Sequence, residues 1–274
     1  MTRWHDEKLE RDSTPSRSVV HAYRNAMSDE DSDAQLTLVH YRGTRKELEI
    51  GLEYSRSPDP LDRAVGADIL AQLGGSPGTF LPETADRLIA LLSDPDSLVI
   101  RHAAIGLGHR SDPKAAPHLA KLAGHFDPSV RFGVGFGLSG FEEPEAIEAK
   151  ISLSQDSDRE VRNWAVFGLG TGIEADSPQI REALWRALSD EDSEIRGEAL
   201  VGLAARHDPR TVDAIQEEWN HDMISLLSIE AAETNGDPRL LPALEEFSES
   251  LDLERDSYFE QSLRGAMAAC SRAD

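Results

Sequence analysis

Four groups of residues in this 274-residue chain are of types that could do chemistry. Gly135, Gly137 and Gly140 satisfy G-x-G-x-x-G, which lets a backbone approach a dinucleotide pyrophosphate when a strand precedes the first glycine. Here the run is RFGVGFGLSG, embedded in helical spacing, so close helix packing and helix termination account for it. Gly74, Ser76 and Gly78 read G-x-S-x-G, the pattern of a nucleophile elbow, but Pro77 follows the serine directly and a strand-to-helix turn is required. A loop is the reading that fits. Nine histidines raise the question of a metal, yet His5, His207 and His221, each followed by aspartate, stand at unrelated positions. The pairs Asp94 with Asp96, Asp156 with Asp158, and Asp190 with Asp192 offer carboxylates to calcium, but the glycine and terminal glutamate of an EF-hand loop are missing. Helix capping explains these aspartates. The sequence therefore predicts no catalytic residue, no metal site and no cofactor.

The elements that carry these residues repeat. DSLVIRHAAIGLG from Asp96, DPSVRFGVGFGLS from Asp127, DREVRNWAVFGLG from Asp158 and DSEIRGEALVGLA from Asp192 are copies of one sentence. DRAVGADILAQLG from Asp62 reads as an earlier copy that has lost its arginine. The aligned leucines Leu73, Leu107, Leu138, Leu169 and Leu203 lie 31 or 34 residues apart. That period is the signature of stacked helical units, each burying its apolar face against its neighbours.

Each copy is preceded by a second helical stretch opened by a polar residue and a proline: Asp112-Pro113, Glu143-Pro144, Ser177-Pro178, Asp208-Pro209 and Asp237-Pro238. Aspartate and serine cap free amides and proline suits the first turn, whereas glutamate caps poorly, so Glu143 is the weak member. These are the predicted A helices; the repeated sentence supplies the B helices, capped by Asp96, Asp127, Asp158 and Asp192. The residue four beyond each cap is an anchor, occupied by Ile100, Arg131, Arg162 and Arg196. Recurring aspartates and arginines in a stacked array predict an inter-repeat ladder of Asp96, Asp127, Asp158 and Asp192 with Arg131, Arg162 and Arg196. Val161, Ala165 and Leu169 form a buried stripe toward the A helix.

DREVRNWAVFGLG resembles the short HEAT repeats of the phycobiliprotein-lyase-like type, whose hallmark Asp-x-x-Val-Arg-x-x-Ala-x-x-x-Leu-Gly it matches at Asp158, Val161, Arg162, Ala165, Leu169 and Gly170. The wording from Trp164 to Gly170 also resembles bacterial repeat proteins common in actinobacteria. The resemblance spans roughly residues 43 to 273 and implies an all-α, armadillo-like α-α superhelix, a HEAT-like α-solenoid of about seven helix pairs. Most members of that family bind proteins, and a minority modify cofactor-bearing substrates. Residues 1–17, rich in charge and poor in apolar groups, are predicted disordered. Residues 18–274 are predicted as one solenoid: a possible N-terminal cap at 18–42, repeats over 43–236 and a capping repeat over 237–274.

In that arrangement the positions one, two and five beyond the anchor lie away from the A helix, on the side that lines the concave wall of HEAT arrays. Position five carries Ile105, Phe136, Phe167 and Val201; the two nearer positions add Arg101, His102, Phe132, Asn163, Trp164 and Glu198. The row of fifth positions either lines an exposed groove or fills the seam between B helices, and the residues alone leave both open. The predicted partner-binding set is Arg101, His102, Phe132, Phe136, Asn163, Trp164, Phe167 and Glu198.

Charge narrows the partners. With 28 basic and 51 acidic residues the chain carries −23, which repels nucleic acid and anionic lipid. One cysteine, Cys270, excludes an internal disulfide, and no apolar run approaches the length of a membrane span. The expectation is a cytoplasmic, non-enzymatic scaffold or adaptor, monomeric or in a hetero-complex, holding a protein or peptide partner with a basic patch. The alternative is a lyase-like or chaperone-like protein acting on a bilin-type, cofactor-bearing substrate, with His102, Asn163 and Arg101 as its nearest polar candidates.

Overall fold

The computed structural model describes residues 12–27, 33–75, 78–221, 224–250 and 257–271. Among them are sixteen α-helices, three short 3-10 turns and no strand. The chain falls into two compact units, Met1–Ala146 and Ile147–Asp274.

In the first unit, α1 (Ser16–Ala26) and α2 (Asp33–Arg42) pack on α4 (Pro60–Ala71), and α3 (Arg45–Tyr54) pairs with α4. Helix α5 (Leu81–Leu91) pairs with α6 (Ser97–Arg110), and the short α7 (Ala116–Ala120) with α8 (Pro128–Leu138). The B helices α4, α6 and α8 stack in order. The helix α9 (Pro144–Leu153) runs across the division. In the second unit the B helices are α10 (Arg159–Gly170), α12 (Ser193–Ala205), α14 (Leu226–Asn235) and α16 (Tyr258–Cys270), again stacked in order. Their A-side partners are α11 (Pro178–Ala187), α13 (Thr211–Glu218) and α15 (Leu241–Ser250).

Local chemistry explains where the helices start. Asp96, Asp127, Asp158 and Asp192 each accept a hydrogen bond from the amide two residues on, at 2.9–3.0 Å. Ser177 caps α11 through the Ile180 amide at 3.2 Å. Glu143, placed before a proline like the others, leaves Oε2 buried without a hydrogen-bond partner, because its longer side chain does not turn back onto the first helical amides. Val161, Ala165 and Leu169 are fully buried, and each large apolar side chain so removed from water contributes about 1.5–3 kcal/mol before entropy is counted. The B helices approach one another through glycine. A Cβ on Gly137 would stand 2.5 Å from the Ala104 carbonyl oxygen, and one on Gly202 would stand 2.5 Å from Gly170 Cα.

Three expectations change. Residues 1–11 lie outside the described residues, but Ser16 and Arg17, expected to be disordered, open α1; Ser16 is buried and its hydroxyl donates to Glu47 at 2.5 Å. The first copy of the repeat begins at Asp59, not Asp62. Asp59 caps α4 through the Leu61 amide at 3.0 Å, Pro60 takes the first helical position, and Arg63 is therefore the anchor. The arginine was never lost; the leucine alignment was displaced by three residues.

The third change concerns the ladder. The capping aspartates are occupied by the amides of their own helices, so the anchors reach other carboxylates. Arg63 grips Asp94 at 2.7 and 2.8 Å, Arg162 grips Asp190 at 2.7 and 3.1 Å, and Arg196 grips Glu218 at 2.8 and 3.0 Å. Each anchor, Arg131 included, also donates to the carbonyls five and six residues behind it. Asp192 also holds an arginine from the preceding repeat, Arg159, at 2.7 Å, and the cap Asp59 likewise holds Arg24 of α1. Where an anchor is not arginine its surroundings change too. Beyond Ile100, the loop position held elsewhere by Asp94 and Asp190 is His125; in the copy MISLLSIEAAETNG, where the spacing puts Ser228 at the anchor, its hydroxyl accepts the Trp219 indole N–H at 3.0 Å.

Candidate partner-binding faces of the B helices

The residues predicted to bind a partner divide between the two units. Arg101, His102, Phe132 and Phe136 belong to the first; Asn163, Trp164, Phe167 and Glu198 belong to the second. All eight are half-buried, as are Ile105 and Val201, so the row five beyond the anchor is neither fully sealed in a seam nor fully exposed.

In the first unit, α6 and α8 place the Arg101 guanidinium over the Phe132 ring, 5.2 Å from its centroid, and set His109 edge-on to Phe136 at 5.2 Å. His102 Nδ1 lies 2.7 Å from Asp68 Oδ1. A carboxylate accepts, so Nδ1 carries the proton and Nε2 is the free ring nitrogen. The other oxygen of Asp68 accepts the Tyr23 hydroxyl at 2.7 Å, and its backbone carbonyl meets His40 Nε2 at 2.8 Å. Burial holds His40 and His109 below the ordinary histidine range, since a buried ring resists charge. Sequence reasoning missed Tyr23, His40, Asp68 and His109. Tyr23 and His102 reach Asp68 from 45 and 34 residues away, and the displaced register gave Asp68 the wrong position on its helix. The Asp59-Pro60 opening, like Asp127-Pro128, was the signal that would have corrected it.

In the second unit, Trp164 and Phe167 pack edge to face with centroids 5.5 Å apart on α10. The Thr171 hydroxyl sits 3.5 Å from a carboxylate oxygen of Glu198 on α12, and Thr171 follows the aromatic pair on α10, its amide bonding the Phe167 carbonyl. Burial pushes the Glu198 carboxyl above the usual glutamate range, and the charges of Glu194 and Glu230 push the same way. Among the described residues no cation forms an ion pair with Glu198. Asn163 Oδ1 is buried there without a hydrogen-bond partner.

Of the glycine motifs, Gly135 and Gly137 lie inside α8 with no strand before them among the described residues; Gly74 is the middle residue of the Leu73–Gly75 turn after α4, and Ser76 lies outside the described residues. Among the described residues no cluster of histidine, cysteine, aspartate or glutamate is arranged to hold a metal, and no helix is long and apolar enough to cross a membrane.

Stacked helix pairs with capped B helices and an arginine ladder define an all-α repeat protein of the solenoid class. The family is that of HEAT repeats, to which the chain belongs: the family's profile matches residues 48–138 and 147–234, one block within each unit. Protein YibA of Escherichia coli is 27% identical over 219 residues, covering 76% of each chain. The X-ray structure of E. coli YibA superposes with a TM-score of 0.67 at 22% identity, covering 96% of this chain and 99% of that one. An engineered protein of known structure gives 0.54 at 18% identity, covering 95% and 82%. These similarities concern the fold.

Proposed function

We propose that the chain is a non-enzymatic cytoplasmic scaffold or adaptor that holds a protein partner on the B-helix faces, and that the face of the second unit receives a basic side chain of that partner. The carrying observation is Glu198. A half-buried carboxylate with no cation beside it, in the field of two further glutamates, is a desolvated charge that the isolated protein leaves uncompensated. A lysine or arginine entering beside Trp164 and Phe167 supplies the missing charge, and the aromatic pair supplies the desolvated surroundings in which that pair is strong. The overall charge of −23 draws such a partner in at long range. A lyase-like activity on a cofactor-bearing substrate has no comparable support.

The test compares tagged wild-type protein with Glu198→Gln and Trp164→Ala in affinity capture from the native host, identified by mass spectrometry at low and high salt. A partner retained by the wild type at low salt and released by both variants supports the reading. A partner held equally by the wild type and both variants removes this face from binding. The Gln variant carries an internal control. Because the Glu198 pKa is raised in the folded state, its charged form costs stability at neutral pH, and that cost fades as pH falls toward the ordinary glutamate value of about 4.3. Glu198→Gln is therefore expected to melt above the wild type at pH 7 and with it near pH 4, even while losing the partner. A lower melting temperature at pH 7 would contradict the assignment of an uncompensated charge.

A further inference from the structure

The first unit carries the complementary case. Arg101 on α6 is half-buried, and among the described arginines it is the one whose guanidinium makes neither a hydrogen bond nor an ion pair. The others donate to carboxylates or carbonyls: Arg63 to Asp94, Arg110 to the Leu70 and Thr79 carbonyls, Arg162 to Asp190. In a chain with 51 acidic residues, an arginine without an acceptor runs against the odds, and the reason is visible. The carboxylate that the preceding B helix offers on this face, Asp68, has its two oxygens taken by His102 and Tyr23. Arg101 Nε is buried without a partner, and the guanidinium is braced over Phe132 at 5.2 Å. Five donors in a rigid plane, held in place by an aromatic ring and short of an acceptor, match the two oxygens of a carboxylate.

We propose that Arg101, braced by Phe132 and flanked by the oriented ring of His102, is a binding site for a carboxylate, namely an aspartate or glutamate side chain of a protein partner. The site takes a group of opposite sign from the one received at Glu198, and it stands independently of that reading. The ligand meets the terminal amino groups of Arg101, while Phe132 keeps the plane of the guanidinium fixed so that little conformational entropy is lost on capture. Nucleic-acid phosphate is disfavoured as the source, since a chain at −23 repels a polyanion.

The full-length protein, labelled with nitrogen-15 arginine, is titrated with N-acetylglutamate amide, which carries a single side-chain carboxylate, at constant ionic strength. The Arg101 Nε–H resonance is assigned by its absence from Arg101→Lys. It is expected to shift in a saturable way while the other guanidinium resonances stay put, and isothermal titration calorimetry with the same probe is expected to show binding at least about tenfold weaker in Arg101→Gln. Glu198→Gln, which carries no change on this face, should respond like the wild type, so failure of one face does not imply failure of the other. A uniform shift of all arginines, no shift at all, or an equal response to inorganic phosphate at matched ionic strength would each overturn the carboxylate site. Should either Arg101 variant fold poorly, Phe132→Leu, which removes the aromatic brace and keeps the apolar volume, serves instead; unchanged affinity there removes the brace from the proposal.

Discussion

At the scale of single residues, the cations that the sequence presents as ordinary surface charge are in part the most buried groups in the protein. Arg206 is 7% exposed and donates to the carbonyls of Leu169 at 2.7 Å, Gly170 at 2.8 Å, Ile173 at 3.1 Å and Gly202 at 2.9 Å. Arg110, 1% exposed, does the same for Leu70 and Thr79 in the first unit, and burial lowers its pKa to about 10, still charged at neutral pH. Lys150 is fully buried against the Gly168 carbonyl. Carbonyls at the ends of helices lack intrahelical partners, and a guanidinium with five donors satisfies several at once. None of this was legible in the sequence, because both arginines stand ten residues past the anchor and most of their acceptors come from more than thirty residues earlier. Arg206→Leu keeps the apolar stem and strands those carbonyls, at roughly 1–3 kcal/mol for each group left buried and unsatisfied. We expect a fall of about 3 kcal/mol or more in urea-unfolding free energy. A loss below about 0.5 kcal/mol, typical of a surface change, would show that water replaces the guanidinium.

At the scale of elements, caps and periodicity were readable because they are local: an aspartate accepts from an amide two residues away, and a leucine three or four residues on shares its helix face. The ladder was readable only as a class of interaction. The sequence pointed to arginines at the anchors, but their acceptors depend on which loop carboxylate the stacking brings within reach, and the capping aspartates were already committed. The Arg162–Asp190 rung shows what such a pair is worth. Its side chains are 15% and 10% exposed, so solvent screens it little and removal of one partner leaves a nearly buried charge. Arg162→Leu is expected to cost about 3 kcal/mol, and the Arg162→Leu, Asp190→Leu double variant clearly less, because the orphaned carboxylate is then gone. For Asp190, burial alone would raise the pKa, but the Arg162 guanidinium and the Asp192 amide hold it below the ordinary value. A depressed carboxylate stabilises the fold above its unfolded pKa and loses that contribution as pH falls through the folded value. The wild type should therefore lose stability below pH 4 more steeply than the double variant. Parallel acid profiles would show that the rung is not the source.

At the scale of the whole molecule, the excess of 23 negative charges and the ion-pair ladder pull in opposite directions when salt is added. Screening relieves repulsion among like charges spread over the surface, since the Debye length falls from about 30 Å at 0.01 M to about 10 Å at 0.1 M. It also weakens exposed ion pairs, but pairs such as Arg45 with Glu83, 58% and 42% exposed, contribute only about 0–1 kcal/mol each. The pairs that matter to stability, Arg63 with Asp94 and Arg196 with Glu218, have side chains no more than 14% exposed and lie largely beyond the reach of mobile ions. Repulsion is thus the larger of the two salt-sensitive contributions. The melting temperature followed by circular dichroism should rise between 10 and 300 mM potassium chloride, and it should rise less in a variant whose exposed glutamates, such as Glu145, Glu217 and Glu246, are changed to glutamine. A melting temperature that falls with salt would mean that the ladder is more open to solvent than its burial indicates, and that the stacking of B helices depends on it more than on the apolar stripes.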